Sequence, residues 1–198
     1  MNKIFEQAKK LYSLKNCTFT PISGHEGGRN QIVIVSRDGE KLYVLRISSL
    51  GDRSESDYLA ETEFVRYLAK NGASVADVIP SANGKLVEVI DGDGTDSVVN
   101  WNAGARTDSV AAGDGAAVPV FLSLFEYAKG MLLADNAYRY RDGAPLSEFF
   151  FNTGKTLGKI HALSKVYEPV AGHRRPDYFD KYNMEYLGRL IPDESTVR

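Results

Sequence analysis

Cysteine is almost missing from the 198-residue chain: Cys17 stands alone, so no disulfide can form within it. Long apolar runs are missing too. Residues 32–35 are typical of those present, and a run of that size cannot span a bilayer. Neither sign of charge is in excess, and a formal net charge of −2 creates no field that would draw nucleic acid or an anionic membrane. The three histidines and the lone cysteine lack the spacing of metal ligands, which excludes a zinc-type site. The opening stretch, MNKIFEQAKKLY, carries charges throughout and has neither the apolar core nor the cleavage site of a secretory signal. With 43% hydrophobic and 25% charged residues, the composition is that of a soluble globular protein, expected in the cytoplasm.

What is present is a series of periodic apolar segments punctuated by turn residues. Ile4, Phe5, Ala8, Leu11 and Tyr12 recur at helical spacing and predict a helix over residues 3–15. A strand is expected over 18–22, followed by GHEGGRN at 24–30, a Gly-rich loop whose backbone N–H groups suit a phosphate or another anion. Strands over 31–36 and 41–47 flank Asp38-Gly39, a two-residue hairpin signal. A long helix is expected over 54–71, stopping at Gly72. Apolar segments on either side of Asn83-Gly84 predict a second hairpin, and residues 118–127 one more strand. Residues 91–118, rich in Gly, Ala, Asp and Ser, have no period and read as an extended, flexible hairpin loop anchored by Trp101. From Gly130 the pattern turns helical, over 145–167 and again over 176–190. The chain is thus expected to divide into a sheet lobe over 1–127, containing the loop 91–118, and a joint with the start of a helical lobe over 128–198.

Arg46 interrupts LYVLRI, a strand otherwise almost wholly apolar, and a buried guanidinium demands a partner because an unpaired charge is so costly to bury. The long helix offers Glu61 and Glu63. Tyr58, Val65 and Leu68 share the helical face of Glu61, whereas Arg66, Tyr67 and Lys70 share that of Glu63. Glu61 is therefore the inward carboxylate and the expected partner of Arg46, with Glu63 on a mostly solvated face. Taken alone, such a pair is a tolerated buried ion pair and no sign of function. The order of the parts says more. A Gly-rich loop, a hairpin, a basic residue on the return strand and a helix with an inward Glu form the arrangement by which kinases hold the α- and β-phosphates of ATP.

Six stretches in order, GHEGGRNQIVIV, YVLRIS, LAETEFVRYLAKNGASVADVIPS, LVEVI, FEYAKG and LGKIHALS, resemble the aminoglycoside phosphotransferase family of small-molecule kinases, which includes choline kinase and homoserine kinase type II relatives. The resemblance runs over residues 20–185 apart from the long loop. It implies an α+β fold, with a protein-kinase-like N-lobe (an antiparallel sheet with one long helix) and then the first helices of a truncated helical C-lobe. It implies ATP as cofactor, with magnesium in the complete enzyme, and a hydroxyl of a small metabolite or aminoglycoside as phosphate acceptor. By position, Gly24, His25, Glu26, Gly27, Gly28, Arg29 and Asn30 would cover the nucleotide phosphates. Arg46 would replace the usual phosphate-binding lysine, a departure that keeps the charge and changes the shape, and Glu61 would orient it. Glu126, Tyr127 and Ala128 would form the hinge whose backbone meets the adenine edge.

The family's chemistry lies further on, in a His-Gly-Asp loop with a following Asn and a later Asp for magnesium. Here His25, His161 and His173 precede Glu-Gly, Ala-Leu and Arg-Arg, so no catalytic residue and no metal ligand is assigned. The nearest stretch, HRRPDYFDKYN, has Arg175 where the Asp belongs, and Asn183 follows Asp177 by six positions instead of five. It reads as a structural helix entry with Pro176 in the first turn. His161 shares a helical face with Gly154, Leu157 and Ser164 and is expected to pack inward as a core histidine. The chain is then expected to be the nucleotide-binding N-terminal portion of a phosphotransferase, truncated before catalysis and inactive alone. The alternative is a non-catalytic module binding nucleotide or a protein partner. Phe149, Phe150, Leu157 and Ile160, and then Met184, Leu187 and Leu190, would be left uncovered, which predicts a homo-oligomer through residues 147–190.

Overall fold

Residues 3–22, 30–48, 53–92, 118–130, 136 and 144–173 are described by the computed structural model. In chain order the elements are α1 (Lys3–Leu11), β1 (Thr18–Pro21), β2 (Asn30–Arg37), β3 (Glu40–Ser48), α2 (Glu55–Lys70), β4 (Val78–Ile79), β5 (Glu88–Gly92), β6 (Val118–Glu126) and α3 (Leu146–Ser164). The six described strands make one antiparallel sheet, β1-β2-β3-β6, with β4 and β5 along the far edge of β6. The β2–β3 turn places Asp38 at φ 51° and Gly39 at φ 84°, and two positive φ values in a row give the turn whose twist matches that of the strands.

Alternation divides the sheet into two unlike faces. Val33 and Val35 of β2, Leu45 and Ile47 of β3, Ile90 of β5 and Val120, Leu122 and Leu124 of β6 all point to one side. There they meet Ile4, Ala8 and Tyr12, with Leu14 and Cys17 just beyond α1. Full burial of each aliphatic chain contributes about 1.5–3 kcal/mol, so this face is the main core. The Tyr12 hydroxyl donates to the Leu122 carbonyl at 2.9 Å, which pins the end of α1 to β6. Burial first, and then the Glu88 carboxylate, push this phenol above its ordinary value of 10.0.

α2 covers the opposite face. Ser54 caps it reciprocally: its hydroxyl accepts from the Asp57 N–H, and the Asp57 carboxylate accepts from the Ser54 N–H. The helix ends at Asn71, and Gly72 follows at φ 76°, the left-handed stop that Gly adopts without strain. Beneath it Tyr58, Val87 and Phe121 form a second, smaller cluster.

Asn83-Gly84 does turn the chain, with Gly84 at φ 77°, yet no second hairpin forms there. β4 pairs Val78 with Phe125 and Ile79 with Leu124, and β5 pairs Glu88 with Leu122 through Gly92 with Val118. Both are antiparallel to β6 and so run in the same direction. They are two pieces of one edge strand, broken by a turn whose own bonds join Gly84 N–H to Ser81 O and Ser81 N–H to Lys85 O. The turn signal was local, whereas the partner was decided by the long free edge of β6. The expected loop 91–118 also shrinks: Asp91 pairs with Pro119 and Gly92 with Val118, so the connection is 93–117, outside the described residues together with Trp101.

α3 has no buried residue; Leu146, Phe150, Phe151 and Leu157 are more than half or about half exposed. His161 is exposed as well, which corrects its reading as a core histidine. Where contacts between α3 and α2 are seen among the described residues, they lie near the C-terminal end of α3. There the Tyr67 hydroxyl reaches the Leu163 carbonyl at 3.4 Å, and Tyr167 packs 4.9 Å from the rings of both Phe64 and Tyr67. Residues 165–173 then run along the outer side of α2. Ser56 donates to the Gly172 carbonyl at 2.6 Å, and His173 Nδ1 lies 3.0 Å from Glu63. The face of Glu63, expected to be mostly solvated, is therefore partly covered. The helix expected over 176–190 lies outside the described residues.

Candidate nucleotide-phosphate site

Because Leu45 and Ile47 turn toward α1, Arg46 between them must turn toward α2. β3 places it opposite Ile32 on one side and Ser123 on the other, in the middle of the sheet. Glu61 stands above it, one turn after Tyr58, so the expected strand-to-helix pair forms. Arg46 Nη1 donates to Glu61 Oε1 at 2.6 Å, with side-chain exposures of 11% and 25%. Half-burial of this kind makes the contact stronger than a surface ion pair, since charge-assisted hydrogen bonds gain as water is excluded.

Three neighbours complete the setting: Tyr58, already on the Glu61 face by its spacing, and Phe125 and Arg53, which the sequence reading did not single out. The Arg46 guanidinium lies 5.1 Å from the Phe125 ring and 5.7 Å from that of Tyr58, both within cation–π range. Arg53, just ahead of the α2 cap, sends Nη1 to the other carboxylate oxygen, Glu61 Oε2, at 3.2 Å. One carboxylate thus serves two guanidiniums, leaving the cluster net positive. Among the described residues Arg46 Nη2 is enclosed and meets no hydrogen-bond acceptor, an expensive condition for a charged donor. Phe125 was invisible because its neighbour is set by the β3–β6 register. Arg53 left a weak signal, a cation at the positive end of a helix where the dipole disfavours it.

In the sequence the Gly-rich segment joins β1 to β2. The two strands are antiparallel neighbours, Pro21 opposite Val33, and Ile22 N–H reaches Ile32 O at 3.0 Å. Gly24, His25, Glu26, Gly27, Gly28 and Arg29 lie outside the described residues. Asn30 begins β2, and its side-chain oxygen accepts from the hydroxyl of Ser48, two residues beyond Arg46. At the other end of the face, Glu126 N–H donates to Asp77 O at 2.9 Å and Tyr127 N–H to Leu42 O at 3.0 Å. Lys41 lies over the Tyr127 ring at 5.4 Å. Ala128 follows, exposed.

The arrangement can present a fixed positive group to an anion. Among the described residues no cluster of three His, Cys, Asp or Glu stands close enough to hold a metal ion. No described helix is long and apolar enough to cross a membrane.

Comparison with known proteins bears on the family and the fold. The model of the phosphotransferase enzyme family matches residues 18–197. Amicoumacin kinase of Bacillus subtilis (strain 168) is 24% identical over 152 residues, which is 77% of this chain and 37% of that kinase. A solved amicoumacin kinase in complex with AMP-PNP, Ca2+ and Ami superposes with a TM-score of 0.65 at 24% identity, over 98% of this chain and 49% of the other. A microcompartment-associated aminopropanol kinase superposes with a TM-score of 0.59 at 16% identity, over 94% and 48%. The α+β, kinase-like fold is thus shared, and the chain spans about half or less of the length of the relatives it matches.

Proposed function

The chain belongs to the phosphotransferase enzyme family, and from that premise we propose that its sheet lobe holds the phosphates of ATP on Arg46. One observation carries the reading: a guanidinium anchored at one nitrogen by Glu61 whose other nitrogen meets no acceptor among the described residues. Kinases place a cation on the return strand against the α- and β-phosphates and orient it with a helix Glu. An Arg fork has separate nitrogens for the two tasks, one toward the carboxylate and one toward a phosphate oxygen. Residues 24–29 would cover the phosphates, and Asn30, tied to Ser48, would fix the end of that cover. Since Glu126 and Tyr127 spend their N–H groups inside the protein, an adenine edge would meet carbonyl oxygens and Ala128.

The reaction of the whole enzyme would form a bond from an acceptor hydroxyl oxygen to the γ-phosphorus as the bond to the bridging oxygen breaks. The named ligands of the amicoumacin kinase structure and the aminopropanol kinase support a small-molecule acceptor. Magnesium, which ATP chemistry implies, finds no ligand cluster among the described residues, and this chain's own contribution is to bind and orient phosphate. No His-Gly-Asp sequence occurs in the 198 residues, which supports nucleotide holding without transfer by this chain alone. A cytoplasmic setting goes with the use of ATP. The exposed Phe150, Phe151 and Leu157 support self-association through 147–190, and light scattering on dilution would read a 22 kDa monomer if that is wrong.

Calorimetric titration with ATP tests the main reading. A site between two lobes that is only partly built should bind at about 0.1–1 mM, or roughly −5.5 to −4.1 kcal/mol. No binding at several millimolar would overturn the reading, and transfer to amino alcohols or aminoglycosides would overturn the claim that this chain alone lacks it.

A further inference from the structure

We propose that Arg53 is a positioning residue of the phosphate clamp: it holds Glu61 so that Arg46 can turn its unpartnered amino group to a phosphate oxygen without leaving a buried carboxylate alone. This rests on the nucleotide reading above and adds to it a residue outside the strand-to-helix pair.

The geometry divides Glu61 between two donors, Oε1 to Arg46 at 2.6 Å and Oε2 to Arg53 at 3.2 Å. Arg46 is the more buried of the two, with 11% of its side chain exposed against 22% for Arg53. Its Nη2 is enclosed near the rings of Phe125 and Tyr58. An incoming polyphosphate must draw that nitrogen outward, and any rotation of the guanidinium loosens the contact at Nη1. With a single partner, Glu61 would then be a half-buried carboxylate facing a phosphate, and like charges in such a place repel strongly. Arg53 removes that cost, because Oε2 stays paired whatever Arg46 does. The Tyr58 ring lies 5.6 Å from the Arg53 guanidinium and 5.7 Å from that of Arg46, so one aromatic face steadies both cations. Arg53 also stands ahead of the helix cap, at the positive end of α2, where a cation has nothing to gain from the helix itself.

The test is ligand binding by the full chain, with ATP, inorganic tripolyphosphate and adenosine as probes. Arg53→Gln should weaken ATP and tripolyphosphate by roughly three- to tenfold, leave adenosine unchanged, and be largely rescued in Arg53→Lys. In a Glu61→Gln background, Arg53→Gln should have no further effect, since Arg53 acts through Glu61. Unfolding curves establish that each variant is folded, and the adenosine arm separates a general loss of structure from a loss at the phosphates. If Arg46→Gln weakens ATP while Arg53→Gln does not, the positioning role is wrong and the nucleotide reading stands. If Arg53→Gln weakens ATP equally in the Glu61→Gln background, Arg53 touches phosphate directly and the proposal falls. If Arg46→Gln also changes nothing, the nucleotide reading fails and takes this inference with it.

Discussion

Leu45, Ile47, Leu122 and Leu124 face α1, while Arg46, Ser48 and Ser123, each one step along the same strands, face α2. The first set is closed, apolar and sealed by a helix whose own inner face is Ile4, Ala8 and Tyr12. The second, between sheet and α2, carries two guanidiniums, a carboxylate, a side-chain amide and two hydroxyls, beside a smaller apolar cluster of Tyr58, Val87 and Phe121. Both faces are made by the same backbone, so a single parity rule separates the part that holds the fold together from the part free to carry charge. A protein can tolerate an unpartnered donor on one face only when the other face supplies most of the stability.

Substitutions sharpen this contrast in order of expected size. Leu122→Ala, at a fully buried position against α1, should cost about 2–5 kcal/mol in urea unfolding while leaving ATP affinity of the folded protein nearly unchanged. A loss of affinity comparable to that of an Arg46 variant would show that the faces are coupled. Glu61→Ala leaves both nitrogens of Arg46 without the carboxylate and should cost about 1–3 kcal/mol.

Tyr12→Phe removes the bond to the Leu122 carbonyl and should cost about 1 kcal/mol at neutral pH. It also has a pH signature. The folded phenol is raised above 10.0, so the folded state holds that proton more tightly than the unfolded one. Its contribution is complete below pH 10.0 and is lost as pH rises beyond it, and the variant should show a shallower alkaline decline in unfolding measurements. An equally steep decline in both proteins would assign it to other groups. Arg46→Met is the smallest in stability, within about 1 kcal/mol of the parent or slightly stabilising, because Arg53 still pairs Glu61 and an apolar chain suits the Phe125 and Tyr58 rings. It should nevertheless abolish measurable ATP binding. Large destabilisation would mean that the α2 face is structural after all.

The strand-to-helix pair was legible because it rests on two short-range periodicities: alternation put Arg46 on the inner surface, and the 3.6-residue repeat chose Glu61 over Glu63. The Asp38-Gly39 turn and the Ser54 to Gly72 limits of α2 were legible for the same reason, since each is decided within a few residues. What was not legible depends on distant partners. The Asn83-Gly84 turn looks identical whether its flanks pair with each other or with β6. The aromatic ring beside Arg46 depends on the β3–β6 register across more than seventy intervening residues. His161 sits on a face with an apolar pattern, but a pattern states a preference for cover without supplying the cover.

Gly92 and Val118 stand directly opposite each other, the last pair of the β5–β6 ladder. Whatever joins them leaves and re-enters the sheet at one point, so the sheet registers only that the two ends meet. Closing a loop costs little more as it lengthens, about 0.6 kcal/mol per doubling. Replacing 93–117 by a tight turn is therefore expected to leave the described strand pairs in place, which unfolding curves of the shortened chain would check. A split chain, 1–92 added to 118–198, would carry the two complementary edges at this seam, and recovery of the folded sheet on mixing would report their meeting.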